Sequence, residues 1–186
     1  METNQQNKQA TDLEQLVRGL QHEDNRNLRL TNTSMWSMGI MAPLYFVLFI
    51  IRVIDEPFSL DQLGFLFFSF AFLSFALLFR SLHKEYKSID YGVSTVEMLT
   101  KAVARYCFWQ SKIYKSIFPA IIACLAISLS CEHLIPHPDQ TTRLLIVFFG
   151  YLAILCCSFF VGYLIWRKRQ KPLRDKALAL LAEIEN

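Results

Sequence analysis

The chain has 186 residues, room for one domain of ordinary size. Hydrophobic residues make up 53% and charged residues 19%, against roughly 45–50% and about 25% in soluble proteins. Six Gly, six Pro and five Cys exclude collagen-like, low-complexity and disulfide-scaffold classes, and the net charge of +3 comes with no nucleic-acid-binding motif or dedicated basic domain.

Residues 1–10 are polar, and disorder is expected there. Thr11-x-x-Glu14 is a capping box and predicts a helix start. Leu13, Leu16, Val17 and Leu20 then form one apolar stripe. The helix is expected to run towards Leu28, weakened by Asn25, Asn27 and Asn32. Its narrow stripe suits the membrane surface or another cytoplasmic helix, and a surface-lying helix is usually more basic than one carrying Asp12, Glu14, Glu23 and Asp24.

Four apolar stretches follow: Met35–Ile51, Leu63–Phe79, Ile117–Cys131 and Leu144–Trp166. None contains Asp, Glu, Lys, Arg or His. A bilayer core about 30 Å thick needs about 20 apolar residues, so these predict spans over about 35–52, 60–80, 115–134 and 144–166. The third reaches that length only if Lys115 snorkels and the helix continues. No signal-peptide cleavage pattern precedes the first. Pro43 and Pro119 fall inside spans and are expected to kink them.

Seventeen Lys and Arg flank one side of these spans (residues 1–34, 80–115 and 167–176) and two, Arg52 and Arg143, flank the other. The excess predicts both termini and the central segment in the cytoplasm. Trp36, Trp109 and Trp166 fall at the same interface and are expected to anchor there, together with Arg167, Lys168 and Arg169. That basic run serves as a stop-transfer signal and is suited to anionic lipid heads.

Phe65, Phe68, Phe72, Phe75 and Phe79 are spaced 3, 4, 3, 4, and Leu82, Tyr86 and Ile89 continue the series. The seam predicts one helix running out of the membrane, with its Phe face against Ala120 and Cys124. Asp90-Tyr91-Gly92-Val93 is a turn signal, and Ser94-x-x-Glu97 a second capping box. Val96, Leu99, Val103, Tyr106, Ile113 and Ile117 resume the 3-4 pattern, interrupted at Gln110. Together they predict a cytoplasmic helical hairpin over 81–114, its longer second arm bending near Phe108 and Trp109. In the tail, Pro172 suits a first helical turn. Leu173, Ala177, Leu180 and Ile184 give a short helix that must pack on something to be stable.

Sites for chemistry are sparse. Cys131, Glu132, His133, His137 and Asp139 are the only metal-like group, but Pro136 and Pro138 work against a regular helix there and no H-E-x-x-H is present. The nucleophile elbow, the phosphate-cradling glycine loop and paired catalytic carboxylates are absent. Neither an enzyme nor a cofactor is expected. The other cysteines read as small apolar filler. The spans lack ionisable residues, and no inverted repeat relates the halves, which disfavours an ion-coupled carrier. A pore built between chains and lined by Ser128, Ser130 or Ser158 is the alternative left open.

Two stretches, Asp90-Tyr91-Gly92-Val93-Ser94-Thr95-Val96-Glu97-Met98-Leu99 and Lys171-Pro172-Leu173-Arg174-Asp175-Lys176-Ala177-Leu178-Ala179-Leu180, resemble small four-span inner-membrane proteins of bacteria. The resemblance covers about a fifth of the chain. It implies an inner-membrane protein whose cytoplasmic elements matter, and it implies no activity and no catalytic residues.

The expectation is an all-α integral membrane protein with N-terminus and C-terminus inside. Residues 1–34 form a cytoplasmic segment, 35–166 the four-span domain with its hairpin, and 167–186 a basic run and helix. The expected role is a membrane-anchored scaffold or regulator. Its candidate partner surface is Tyr86, Ile89, Tyr91, Val96 and Leu99 on the hairpin and Leu173, Leu180 and Ile184 on the tail. The other use of these residues is internal packing of the cytoplasmic elements. The expected partners are the lipid bilayer, a protein partner or a second copy, and no nucleic acid. The alternative role is an oligomeric transporter of lipid or small molecules.

Overall fold

A computed structural model describes residues 2–55, 57, 59–109, 111–130 and 139–185. Every regular element among them is helical: α1 Glu2–Asp55, α2 Leu60–Lys87, α3 Thr95–Arg105, α4 Ser111–Leu129, α5 Gln140–Ile165, a π-helical turn Trp166–Gln170, and α6 Lys171–Glu185. Three of the helices, α1, α2 and α5, contain stretches long and apolar enough to cross a membrane. The apolar run of α4, Ile113–Leu129, is shorter. The extension of the third span towards residue 134 lies outside the described residues.

Several boundaries differ from the sequence expectation. The N-terminal residues are helical from Glu2 rather than disordered. Gln, Lys and Ala in this segment are good helix formers, and each residue added to an existing helix gains a hydrogen bond for the one residue it fixes. Thr11 is therefore interior. Glu14, instead of capping, accepts from Arg18 Nη2 at 2.6 Å one turn on. Asn25, Asn27 and Asn32 do not interrupt α1. The second arm of the expected hairpin is not one helix: α3 stops at Arg105 and α4 begins at Ser111. At its other end α3 starts as expected, with the Ser94 hydroxyl accepting from Glu97 N–H.

The chain forms two compact units. The first comprises Met1–Leu30, Lys84–Gln110 and Phe160–Asn186. Its core is Leu16 and Leu20 of α1, Met98, Leu99 and Ala102 of α3, Tyr106 just beyond α3, and Ala177 of α6. Leu13, Val17, Tyr91, Val93, Val103, Leu173, Leu180 and Leu181 pack around it. Leu20 and Leu99 are fully buried, each contributing on the order of 1.5–3 kcal/mol by removal from water. The apolar stripe of α1 is thus the one read from the sequence. In α6 both Leu180 and Leu181 pack inward, and Ile184 is left outside, 51% exposed. The small Gly19 lets Leu173 approach α1: a Cβ at Gly19 would lie 2.9 Å from Leu173 Cδ2.

α5 and α6 are joined by the π-helical turn rather than by a break. Pro172 has no N–H to donate, and its ring crowds the preceding turn. Widening that turn accommodates such a residue, and Lys171 N–H donates to Trp166 O across it.

The second unit comprises Thr31–His83 and Ser111–Phe159. Here the Phe seam of α2 surrounds Tyr45 of α1, whose ring centroid lies 6.3 Å from Phe65, 5.1 Å from Phe68 and 5.2 Å from Phe72. α2 comes close to the end of α4 at Gly64, where an added Cβ would lie 2.1 Å from Ser130 Oγ and 3.1 Å from Ala126 O. Ser69 Oγ donates to Ala42 O at 2.8 Å, and Tyr151 OH to Ala120 O at 2.9 Å. Gln62 is buried, donating through Nε2 to Arg52 O and Pro57 O and accepting from Ser59 N–H. It thereby satisfies a carbonyl that the end of α1 leaves open. Pro43 and Pro119 sit inside α1 and α4. Large apolar side chains remain on the outside, including Ile40 at 63% and Ile154 at 65% exposure, which suits a surface that faces lipid rather than water.

Candidate functional site

The inward face of α1 changes character after Leu20. Leu16 and Leu20 are followed on the helical spacing by Glu23, Asp24, Asn27 and Thr31, and all are buried. Two adjacent carboxylates therefore enter the interior of the first unit or its edge. Burying an unpaired carboxylate is prohibitive, so each must meet donors.

Asp24 meets three, from two separate elements. Arg105, the last residue of α3, places Nη1 on Asp24 Oδ2. Tyr91, in the turn before α3, donates its hydroxyl to the same oxygen at 2.5 Å. Tyr106, just after α3, donates to Oδ1 at 2.6 Å. The Asp24 and Arg105 side chains are 5% and 11% exposed, so the pair is buried. Burial, followed by donation to Asp24, raises the Tyr91 and Tyr106 hydroxyls above the ordinary range. Burial and the neighbouring Asp24 carboxylate raise Tyr86 to about 12. All three phenols therefore remain neutral donors at physiological pH.

Glu23 accepts from Arg26 Nη2 at 2.5 Å. Burial raises its carboxyl above the ordinary value, against the lowering influence of Arg169 and a hydrogen bond with Gln170 on the π-helical turn. The two carboxylates thus look to opposite partners: Asp24 to the ends of α3, Glu23 to the entrance of α6.

The junction between α3 and the π-helical turn is closed by aromatic rings. Trp166 Nε1 donates to Tyr106 O at 2.9 Å. The Phe108 ring centroid lies 5.6 Å from Trp109, 5.4 Å from Tyr163 and 5.1 Å from Trp166. Edge-on and tilted contacts at these separations are the favourable ones.

A carboxylate that accepts three donors, two of them neutral phenols, has little capacity left for an incoming group. Its chemistry is that of a clamp holding three chain segments, rather than that of a general base. Among the described residues no group of His, Cys, Asp and Glu is arranged to hold a metal ion. Of the metal-like group in the sequence, residues 131–138 lie outside the described residues. Asp139 caps α5, its Oδ2 accepting from Thr142 N–H at 3.1 Å and its Oδ1 from Thr141 N–H at 3.4 Å.

The residues singled out for partner binding divide. Leu99 is fully buried, and Tyr91, Leu173 and Leu180 pack against the same core, so these four serve internal packing. Tyr86 and Ile89 are half-buried. Val96 and Ile184 are exposed at 43% and 51%. Of the interface anchors, Trp109 and Trp166 share the aromatic cluster, while Trp36 stands exposed on α1. Arg167, Lys168 and Arg169 are exposed. The sequence reading missed Asp24 and Glu23 as site residues. The signal was present in their spacing from Leu16 and Leu20, which carries the buried stripe onward.

Comparison with known proteins brings no relative: no family model matches the chain, and no curated protein or solved structure matches it either.

Proposed function

We propose that the protein is a membrane-anchored scaffold or regulator. In this reading four spans, the apolar helix α4 among them, hold the chain in a bacterial inner membrane with both termini in the cytoplasm. The folded first unit then presents a binding surface to a cytoplasmic or membrane partner. No catalytic role is assigned.

One observation carries the reading. The first unit gathers the beginning, middle and end of the chain around its own core and its own buried ion pair. An anchor or a simple pore does not require a body with its own core and ion pair. The surface it offers is narrower than the sequence suggested. Helices α3 and α6 keep Val96, Leu178 and Ile184 exposed at 43%, 41% and 51%, and these replace Leu99, Leu173 and Leu180 as the residues to test. The transporter reading gains no specific support: Ser128 Oγ donates to Cys124 O of its own helix at 2.8 Å, the ordinary use of a serine in a span.

Photocrosslinkers placed singly at Val96, Leu178 and Ile184 of the full chain in native membranes test the proposal. The expected result is one discrete protein adduct from these positions and none from Lys176, an exposed position of the same helix. Adducts to lipid alone, or only to a second copy through α5, would overturn it and turn attention to transport.

A further inference from the structure

The π-helical turn separates its side chains sharply. Trp166 faces inward and holds Tyr106 O, and Gln170, one wide turn on, is half-buried. Arg167, Lys168, Arg169 and Lys171 are exposed. Arg169 is drawn electrostatically to Glu23. Arg167, Lys168 and Lys171 form no ion pair with a carboxylate among the described residues.

These cations follow directly on the apolar helix α5, which ends at Ile165. Beside them lies the cluster of Phe108, Trp109, Tyr163 and Trp166, with Trp109 left 64% exposed. Amphipathic Trp and Tyr rings settle at the level of lipid headgroups. Exposed Lys and Arg at that level attract anionic lipid. The turn is also held in place, because Trp166 is bonded to Tyr106 O and packed against Phe108 and Tyr163. The charges are therefore presented by a fixed support rather than by a loose tail.

From this arrangement we propose that Arg167 and Lys168, which follow Trp166 of the aromatic cluster, form a binding site for the phosphate group of an anionic phospholipid in the adjoining leaflet. Lys171 supports the site with its charge. The Arg guanidinium suits a phosphate geometrically, as a planar pair of donors. The inference rests on α5 crossing the membrane and does not depend on a protein partner.

The test uses the delipidated full chain in mild detergent, titrated with phosphatidylglycerol or with phosphatidylcholine of the same acyl chains, with bound lipid counted by native mass spectrometry. Wild type should prefer phosphatidylglycerol. Each surface cation strengthens such binding about fivefold, so R167Q/K168Q should weaken it about 30-fold and leave phosphatidylcholine unchanged. The charge-preserving R167K/K168R should retain most of the preference, and Lys176→Gln, on α6, should change nothing. Raising the salt on the wild-type protein should lower the preference without any substitution. Equal binding of the two lipids by wild type would overturn the proposal. So would an undiminished preference in R167Q/K168Q, or an equal loss in R167K/K168R. Full displacement by millimolar inorganic phosphate would also overturn it, because the source would then be a soluble anion.

Discussion

Asp24 and Arg105, 81 residues apart in sequence, form a buried ion pair that joins the N-terminal helix to the end of α3. The chain stops being helical just after Arg105, and Tyr106, the next residue, donates to the other oxygen of the same carboxylate. The end of α3 and the clamp are thus one feature. Tyr106 is also where the π-helical turn attaches, through Trp166 Nε1 donating to its carbonyl, so segments far apart in the chain meet at this residue.

Removing one partner of this pair should cost far more than removing the whole arrangement. Asp24→Asn leaves the Arg105 charge buried, and losses of that kind run to about 3–5 kcal/mol. In the full chain, hydrogen exchange of α3 and α6 amides should accelerate accordingly, while α2 amides of the second unit stay protected. The combined variant D24L/R105M/Y91F/Y106F leaves no stranded donor and should recover most of the protection. Equal damage in both variants would show that packing, rather than charge pairing, holds the unit.

The phenols predict an alkaline limit. Tyr86 is raised to about 12, and Tyr91 and Tyr106 are raised as well, whereas an unfolded tyrosine ionises near 10. A raised folded value means the folded state holds the proton more tightly. The stability so carried is complete below about pH 10 and is lost as pH rises through the folded values. Tyrosinate absorbance should therefore lag in the native protein and rise together with loss of the first unit's helical signal. Tyr106→Phe should remove a hydrogen bond to a charged acceptor, costing about 1.5–3 kcal/mol at neutral pH, and should shrink the alkaline step.

How far the sequence carried these features varies by element. The stripe Leu13, Leu16, Val17 and Leu20 was legible because helical periodicity needs no partner to be seen, and the Ser94 cap because it is local. The long-range choice between packing and docking was not legible. Leu99 and Val96 lie on the same periodic series, yet one is fully buried and the other exposed, because the choice depends on where α1 and α6 pack against α3. The π-helical turn was hidden for a similar reason. Arg167 to Lys171 form a plausible stop signal in any conformation, and the widening depends on Pro172 together with the bond from Trp166 to Tyr106. Asp24 gives no site signal in the sequence because its donors come from residues 67 to 82 positions away.

Glu23 should give a pH response of its own. Burial raises its carboxyl despite Arg169 and Gln170, so the folded state favours the protonated form. Its contribution is complete below the unfolded value of 4.5 and is lost as pH rises through the raised folded value. Glu23→Gln, which stays neutral, should therefore gain on wild type across that window. Thermal unfolding of both proteins from pH 4 to 8 measures the difference. A gap that stays constant with pH would mean that Glu23 is as easily ionised when folded as when unfolded.

The second unit offers a test of packing without charge. Apolar association gives little drive within lipid, so helices there depend on close fit. At Gly64 an added Cβ would meet Ser130 Oγ at 2.1 Å, and beyond it the backbone atoms Ala126 O at 3.1 Å and Ser130 N at 3.2 Å. Rotation of Ser130 relieves the first contact but not the two backbone contacts. Overpacking of this kind costs about 1–3 kcal/mol. Gly64→Ala should lower the thermal stability of the detergent-solubilised chain by that order. Gly150→Ala and Gly162→Ala, on α5, meet nothing within 4 Å and should be neutral or slightly stabilising through helix propensity. The paired variant G64A/S130A removes the hydroxyl but keeps the backbone contacts, so it should recover only part of the loss. Full recovery would assign the close fit to the serine alone, and equal loss at all three glycines would attribute the effect to glycine content rather than to the α2–α4 contact.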